Sequence, residues 1–352
     1  MTALKDKLKR LIAATGPISV AHYMAQCLLD PEHGYYTTRE PFGSEGDFIT
    51  APEVSQMFGE LVGVWLYTAW KESGSPEKPV LAEIGPGRGT LMKDMLRTFA
   101  RLDPGFAAET RFALVEASDR LKQVQQQTLA EGATGATPEW FARIEDLPAG
   151  PLFIVGNELF DALPIRQFVK TASGWRERVV GLNDAGELAF FAGYGAPDDT
   201  VLPPDAPVAP EGAIFEWAPA REALMELIAE RLKQQGGAGL FIDYGFERSA
   251  TGDTLQAVKR HAYDDVLASP GEADITSHVD FDALARVAQG HGLTTRLTTQ
   301  GDFLLGLGLL ERAGQLGAGK TAEAQEKIRD AVERLAAPDQ MGTLFKVLLL
   351  TP

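Results

Sequence analysis

The spacing of apolar and polar positions changes along the chain. Up to about residue 75 the apolar residues recur at helical spacing. In SQMFGELVGVWLYTAW, Phe58, Leu61, Val62, Trp65 and Leu66 fall on one face. ESGSPEKP (72–79) is a polar, proline-bearing break. Beyond it, short unbroken apolar runs alternate with amphipathic stretches. Residues 80–84 predict a strand and 88–101 a helix. RFALVEAS (111–118) predicts a second strand, and DRLKQVQQQTLA a second helix with Asp119 near its start. PLFIVGNELF (151–160) holds another buried strand. PAREALMELIAERLKQQGG is a helix stopped by glycines, from which the strand AGLFIDYGF rises. Continuous apolar strands separated by helices argue for a parallel sheet covered on both faces.

Two segments interrupt this alternation. Residues 165–217 contain RQFVKTASGWRERVVGLNDAGELAFFAGY, whose alternating runs and NDAG turn predict antiparallel strands. Residues 248–280 are polar and read as irregular. A strand near 293–299, a helical 303–337 and TLFKVLLL follow, and the last run suits an antiparallel pair at the sheet edge. The fold class expected is α/β: a doubly wound, mostly parallel sheet with an N-terminal helical cover and an antiparallel insertion. The domains expected are a cover and lid over 1–78 and a core over 79–352, with insertions at about 165–217 and 248–280.

Composition narrows the function. The 33 basic and 49 acidic side chains give a net charge of −16, which repels polyanions over most of the surface. No Lys/Arg cluster with interleaved aromatics offsets it, so nucleic acid is not an expected partner. No apolar run approaches the roughly 20 residues needed to span a bilayer. MTALKDKLKRLIAATGPIS is basic and amphipathic but lacks an apolar signal core, and the expected location is cytoplasmic. The single cysteine, Cys27, excludes disulfides within the chain, and it reads as a buried thiol in VAHYMAQCLL. Five histidines without paired ligand spacing suggest no metal site.

The first strand runs into Gly85-Pro86-Gly87-Arg88-Gly89-Thr90. A dinucleotide fingerprint needs a sixth-position glycine, where Thr90 stands, and no Gly-Lys-Ser/Thr follows for a P-loop. Glu83, two residues before the first glycine, would repel a pyrophosphate at that helix start. It would attract the sulfonium and α-ammonium of S-adenosylmethionine. Gly85, Gly87 and Gly89 would let the backbone approach that ligand. Glu116 ends the second strand, where a carboxylate accepts both ribose hydroxyls. Glu145 and Asp146 stand near the expected end of the third strand, as adenine contacts or as a solvated loop.

With Glu83, the turn and Glu116 in place, the chain resembles a class I S-adenosylmethionine-dependent methyltransferase. HGYYTT, GDFITAPEVSQMFGELVG, VGNELFDALP, PGEADITSHVDF and MGTLFKVL together resemble the bacterial and mitochondrial protein-arginine methyltransferases. The mitochondrial members of that family assist assembly of respiratory complex I. The resemblance runs from about Pro17 to Leu348. It implies methyl transfer to an arginine of a partner protein such as a complex I subunit. A small-molecule methyltransferase and a non-catalytic assembly factor that keeps the fold are the alternatives, and oligomeric state is not legible.

An arginine acceptor is a protonated, delocalised guanidinium, which needs carboxylates to hold its planar fork. Under the resemblance Asn157 faces the cofactor, while Glu158 and Asp161 engage the guanidinium; a turn cap at Asp161 and a structural Glu158 are the plainer readings. GDFITAPEVSQ reads as a loop entering a helix over 53–70, capped by Thr50 or Ser55, with Pro52 in its first turn. The resemblance makes Thr50 and Glu53 cofactor-side lid contacts and Asp47 a substrate-side one, although capping accounts for them as well. Tyr244 would line the substrate slot unless it is a core or rim residue. His278 would be a base or substrate contact unless it is an ordinary loop histidine.

Overall fold

A computed structural model describes residues 2–38, 50–132, 135–259 and 262–352. The chain divides into two compact units, each drawn from three stretches of sequence. One comprises 1–48, 160–224 and 248–282; the other comprises 49–159, 225–247 and 283–352.

The second unit holds the parallel sheet. Its strands are β1 (Val80–Ile84), β2 (Arg111–Val115), β3 (Glu139–Phe141), β4 (Leu152–Asn157), β5 (Gly237–Phe246), β6 (Thr294–Thr299) and β7 (Phe345–Thr351). They lie in the order β6-β7-β5-β4-β1-β2-β3. Pairing is parallel throughout except that β7 runs antiparallel to both β5 and β6. All five residues of β1 are buried, so a run that is apolar but for Glu83 reports a strand covered on both faces. The strand order reverses between β1 and β4. In such sheets the crevice outside the strand carboxyl ends at that reversal is where ligands bind.

Helix α1 (Gln56–Glu72) packs on α2 (Thr90–Leu102). Two glycines allow the close approach. A Cβ on Gly59 would lie 2.7 Å from that of Asp94, and one on Gly63 would lie 3.4 Å from the Met95 backbone. Phe58, Leu61, Met95, Phe99 and Phe153 join Leu240 and Val347 in one apolar cluster. On α1, Glu60 accepts from Arg312 at 2.7 and 3.1 Å and from Arg97 at 3.4 Å. The expected helix over 53–70 is instead two helices, Ala51–Val54 and α1, parted by an extended Ser55. That residue caps α1 by accepting from Met57 N–H at 3.2 Å. The helical 303–337 is likewise three helices, Gln300–Gly306, Leu309–Gly317 and Ala322–Ala336, the first break falling at Gly308 with φ +90°.

The first unit is built on antiparallel strands. Gly174–Leu182 pairs with Arg166–Thr171, Leu188–Ala192 and Ile18–Ser19, and Arg166–Thr171 also pairs with Ile214–Trp217. The N-terminal helices Ala3–Thr15 and Val20–Leu29 belong here. Leu8, Ile12, Tyr23 and Met24 share a cluster with Val180, Leu188 and Ile275, and Cys27 is buried in it. Residues 248–280 are not irregular: Gln256–Lys259 lies between Ala262–Asp264 and Asp274–Thr276 in a three-stranded sheet. Strands of three or four residues are too short for an alternating pattern to show.

Candidate functional site

Three glycines shape the turn after β1, and all three need the left-handed region: Gly85 at φ +66°, Gly87 at +51° and Gly89 at +82°. Gly89 is the N-cap of α2 and offers no side chain to the helix's first amides. Glu83 supplies one instead, accepting the Met92 N–H at the third helical position. The carboxylate is 3% exposed, and nothing among the described residues donates to its Oε2. Burial pushes the carboxyl up to about 8 against the pull of that one amide. Glu83 is thus both a helix cap and a buried acceptor with one oxygen left over.

Glu116 follows β2. Its Oε1 accepts Ser118 N–H at 2.7 Å and its Oε2 accepts the Gln125 amide at 3.1 Å. Burial raises this carboxyl as well, and those two donors, with the Ala117 N–H, pull it partly back. Gln125 is fully buried on the helix Asp119–Ala130. It also donates to Gly87 O at 2.9 Å and accepts from Trp140 Nε1 at 2.8 Å.

Asn157 ends β4. Its Nδ2 donates to Glu158 Oε1 at 3.0 Å, and its buried Oδ1 receives no donor among the described residues. Glu158 has φ +50°, one of three non-glycine residues with positive φ among those described. The Glu158 N–H donates to Ile242 O at 2.8 Å, and its Oε1 also accepts Ala51 N–H at 3.3 Å. Its carboxylate therefore stands at the start of the helix Ala51–Val54. Thr50 is the N-cap of that helix but makes no side-chain cap bond. Glu53, on the same helix, faces Arg88 of the glycine turn at 3.9 Å.

The remaining candidates are dispersed. Tyr244 is 9% exposed and packs edge-on to Phe345 in the apolar cluster. Glu145 and Asp146 are exposed on a short 3-10 turn. Asp47 lies outside the described residues. Asp161 and His278 belong to the first unit. There the buried Arg221 gathers the Asp161 and His278 carbonyls at 3.1 and 2.7 Å, and it donates to Ser277 Oγ at 2.6 Å. In the same unit Tyr36 donates to both Asp274 oxygens, at 3.1 and 3.0 Å. Gln125 and Arg221 carry no sequence signal, because their partners, 9 to 38 residues away for Gln125 and 56 to 60 for Arg221, are met only in the fold. Among the described residues no cluster of three or more His, Cys, Asp or Glu is placed to hold a metal, and no helix is long and apolar enough to cross a membrane.

Glu83 Oε2 and Asn157 Oδ1 are buried acceptors at the ends of the adjacent strands β1 and β4. A buried acceptor without a donor is costly, and a ligand that brings an ammonium meets it. Residues 61–299 match the family model described as "Putative S-adenosyl-L-methionine-dependent methyltransferase". The chain belongs to this family of S-adenosylmethionine-dependent methyltransferases. The enzyme's cofactor is S-adenosylmethionine, and the acceptors just described fit its α-ammonium. A solved protein of Burkholderia thailandensis bound to S-adenosyl-homocysteine is 31% identical, with a TM-score of 0.86 over 99% of this chain and 92% of that one. The mitochondrial protein arginine methyltransferase NDUFAF7 homolog of Drosophila melanogaster is 37% identical over 99% of this chain and 85% of its own. The Homo sapiens mitochondrial NDUFAF7 protein arginine methyltransferase is 34% identical over 100% and 84%. The expected cytoplasmic location is corrected by these relatives, which are named mitochondrial. A basic, amphipathic N-terminal stretch without a signal core carries too little information to decide location.

Proposed function

We propose that the enzyme methylates an arginine side chain of a partner protein. The observation that carries this is full-length similarity to relatives named protein arginine methyltransferases. Glu158 supports it: a carboxylate held at a sheet's ligand-binding edge in a backbone conformation that costs on the order of 1–3 kcal/mol. The resemblance of GDFITAPEVSQ and NELFDALP to the family points to a respiratory complex I subunit as the partner.

In this reading Glu83, Asn157 and the turn Gly85, Gly87 and Gly89 hold the methionine end of the cofactor, and Glu116 holds its ribose. Thr50 and Glu53 lie on the cofactor side of the helix Ala51–Val54. S-adenosylmethionine supplies, when bound, a methyl group activated on a sulfonium. The protein's task is then alignment, since an in-line displacement is favoured by fixing nucleophile and electrophile in register. Glu158 pairs with the acceptor guanidinium, fixes its plane and stabilises the charge it keeps. The amides of Ala51 and Asn157 hold the Glu158 rotamer, so the side chain pays little reorganisation when the acceptor arrives.

The test is incubation with labelled cofactor and an extract of cells lacking the enzyme, followed by mass spectrometry of methylated arginines. Glu158→Gln should abolish methylarginine while cofactor binding persists. Unchanged turnover would remove Glu158 from the site. Label found only in small molecules would overturn the protein acceptor.

A further inference from the structure

We propose that Gln125 is a positioning residue for the cofactor's ribose: it sets the rotamer of Glu116 and ties that carboxylate to the glycine turn. This rests on the reading above, in which Glu116 receives the ribose.

The polarity of its three partners leaves the amide no freedom. An indole N–H can only donate, so the oxygen of Gln125 must face Trp140. Gly87 O and the Glu116 carboxylate can only accept, so its nitrogen must face them, and both of its N–H groups are spent. Gln125 is wholly buried, so water cannot substitute for any of the three. A Cβ on Gly89 would come to 3.4 Å from Gln125, so the same side chain also packs beneath the last glycine of the turn.

The effect on Glu116 is directional. Its Oε1 accepts Ser118 N–H and its Oε2 the Gln125 amide, the Ala117 N–H adds a third bond, and a carboxylate has about four lone-pair sites. The carboxylate is thereby held in one plane, and in this reading its remaining acceptor capacity faces the ribose. Donation from Gln125 also favours the ionised form against burial. Through Gly87 the same amide fixes a carbonyl of the turn, so the ribose end and the turn are held in one register. No local pattern in DRLKQVQQQTLA marks this role, since three glutamines stand side by side and one of them faces inward.

The experiment is titration calorimetry of the full chain with S-adenosyl-homocysteine and with its 2′-deoxyribose analogue, with thermal unfolding as a check of folding. Wild type should prefer the ribose ligand. Gln125→Met, close in volume but without the donors, should weaken ribose-ligand binding roughly tenfold and erase most of that preference. Gln125→Glu should lose affinity more steeply as pH rises, because a second carboxylate beside Glu116 then ionises. Trp140→Phe removes the donor that orients the amide, with part of the ring, and leaves the Gln125 side chain itself unchanged. It should give a smaller loss in the same direction, and it decides the matter if the Gln125 variants do not fold. Equal losses on both ligands, with the preference intact, would make Gln125 a purely structural residue and overturn the proposal. A wild type that does not distinguish the two ligands would instead overturn the ribose assignment of Glu116 itself.

Discussion

Replacing Glu83 with glutamine keeps its size and its bond to Met92 N–H but removes its charge. In the free protein the carboxyl titrates at about 8, because burial opposes its ionisation. At pH 7 about ten copies in eleven are then protonated, and ionising the group costs about 1.4 kcal/mol. A cation brought against Oε2 reverses the preference, so binding should expel roughly 0.9 proton per cofactor at pH 7. Affinity should accordingly rise nearly tenfold between pH 7 and pH 9 relative to Glu83→Gln. The cofactor's own amine titrates against both proteins alike, so the ratio of the two affinities isolates Glu83. The sign for the free protein runs the other way. A carboxyl whose folded pKa is raised stabilises the fold at low pH. That contribution is lost as pH climbs from about 4.5 to about 8, at a total of about 5 kcal/mol. Calorimetry in buffers of different ionisation enthalpy measures the proton release. Parallel affinity profiles for wild type and Glu83→Gln, with no difference in protons released, would refute the reasoning and leave Glu83 as a helix cap.

Glu116→Ala should weaken S-adenosyl-homocysteine binding between about 10- and 100-fold by calorimetry while the protein stays folded, as expected for hydrogen bonds to a charged group. Glu60→Ala removes the acceptor of Arg312 while Arg97 keeps Asp94 at 2.8 Å, and urea unfolding should show a loss of about 2 kcal/mol. Gly237→Ala should yield little folded protein. Gly237 has φ +115°, and a Cβ there would lie 1.9 Å from Leu152 O, so β4 and β5 could not pair; circular dichroism of the purified variant checks this.

What the sequence made legible were features whose cause is local. Val80–Ile84 is apolar but for Glu83 because both faces are covered, and three glycines follow because the turn needs three left-handed residues. RQFVKTASGWRERVV alternates because its sheet is antiparallel, and it pairs as expected. What escaped has distant causes. The family motif singled out Glu158 but not its left-handed backbone, which goes with an N–H that donates to Ile242 O more than eighty residues later. Gln125 resembles its neighbouring glutamines until Trp140 is folded against it. Ser55 breaks what reads as one continuous helix, because its side chain caps α1 where Thr50 was equally placed to do so.

The placement of β7 has a consequence for how the sheet is made. The latest strand of this sheet in sequence is not at an edge: among the described residues β7 lies between β5 and β6, and β6 joins the sheet through it. While the ribosome is still adding Gln300–Ala336, the pairing of Gly239–Tyr244 on β5 with β7 has not formed, and unpaired strand edges invite association between nascent chains. Closure of the sheet therefore waits for residues 345–351, a pairing of high sequence separation that is expected to be slow. Four helices, Gln300–Gly306, Leu309–Gly317, Ala322–Ala336 and Met341–Leu344, separate β6 from β7, so the sheet is complete only when β7 has been added.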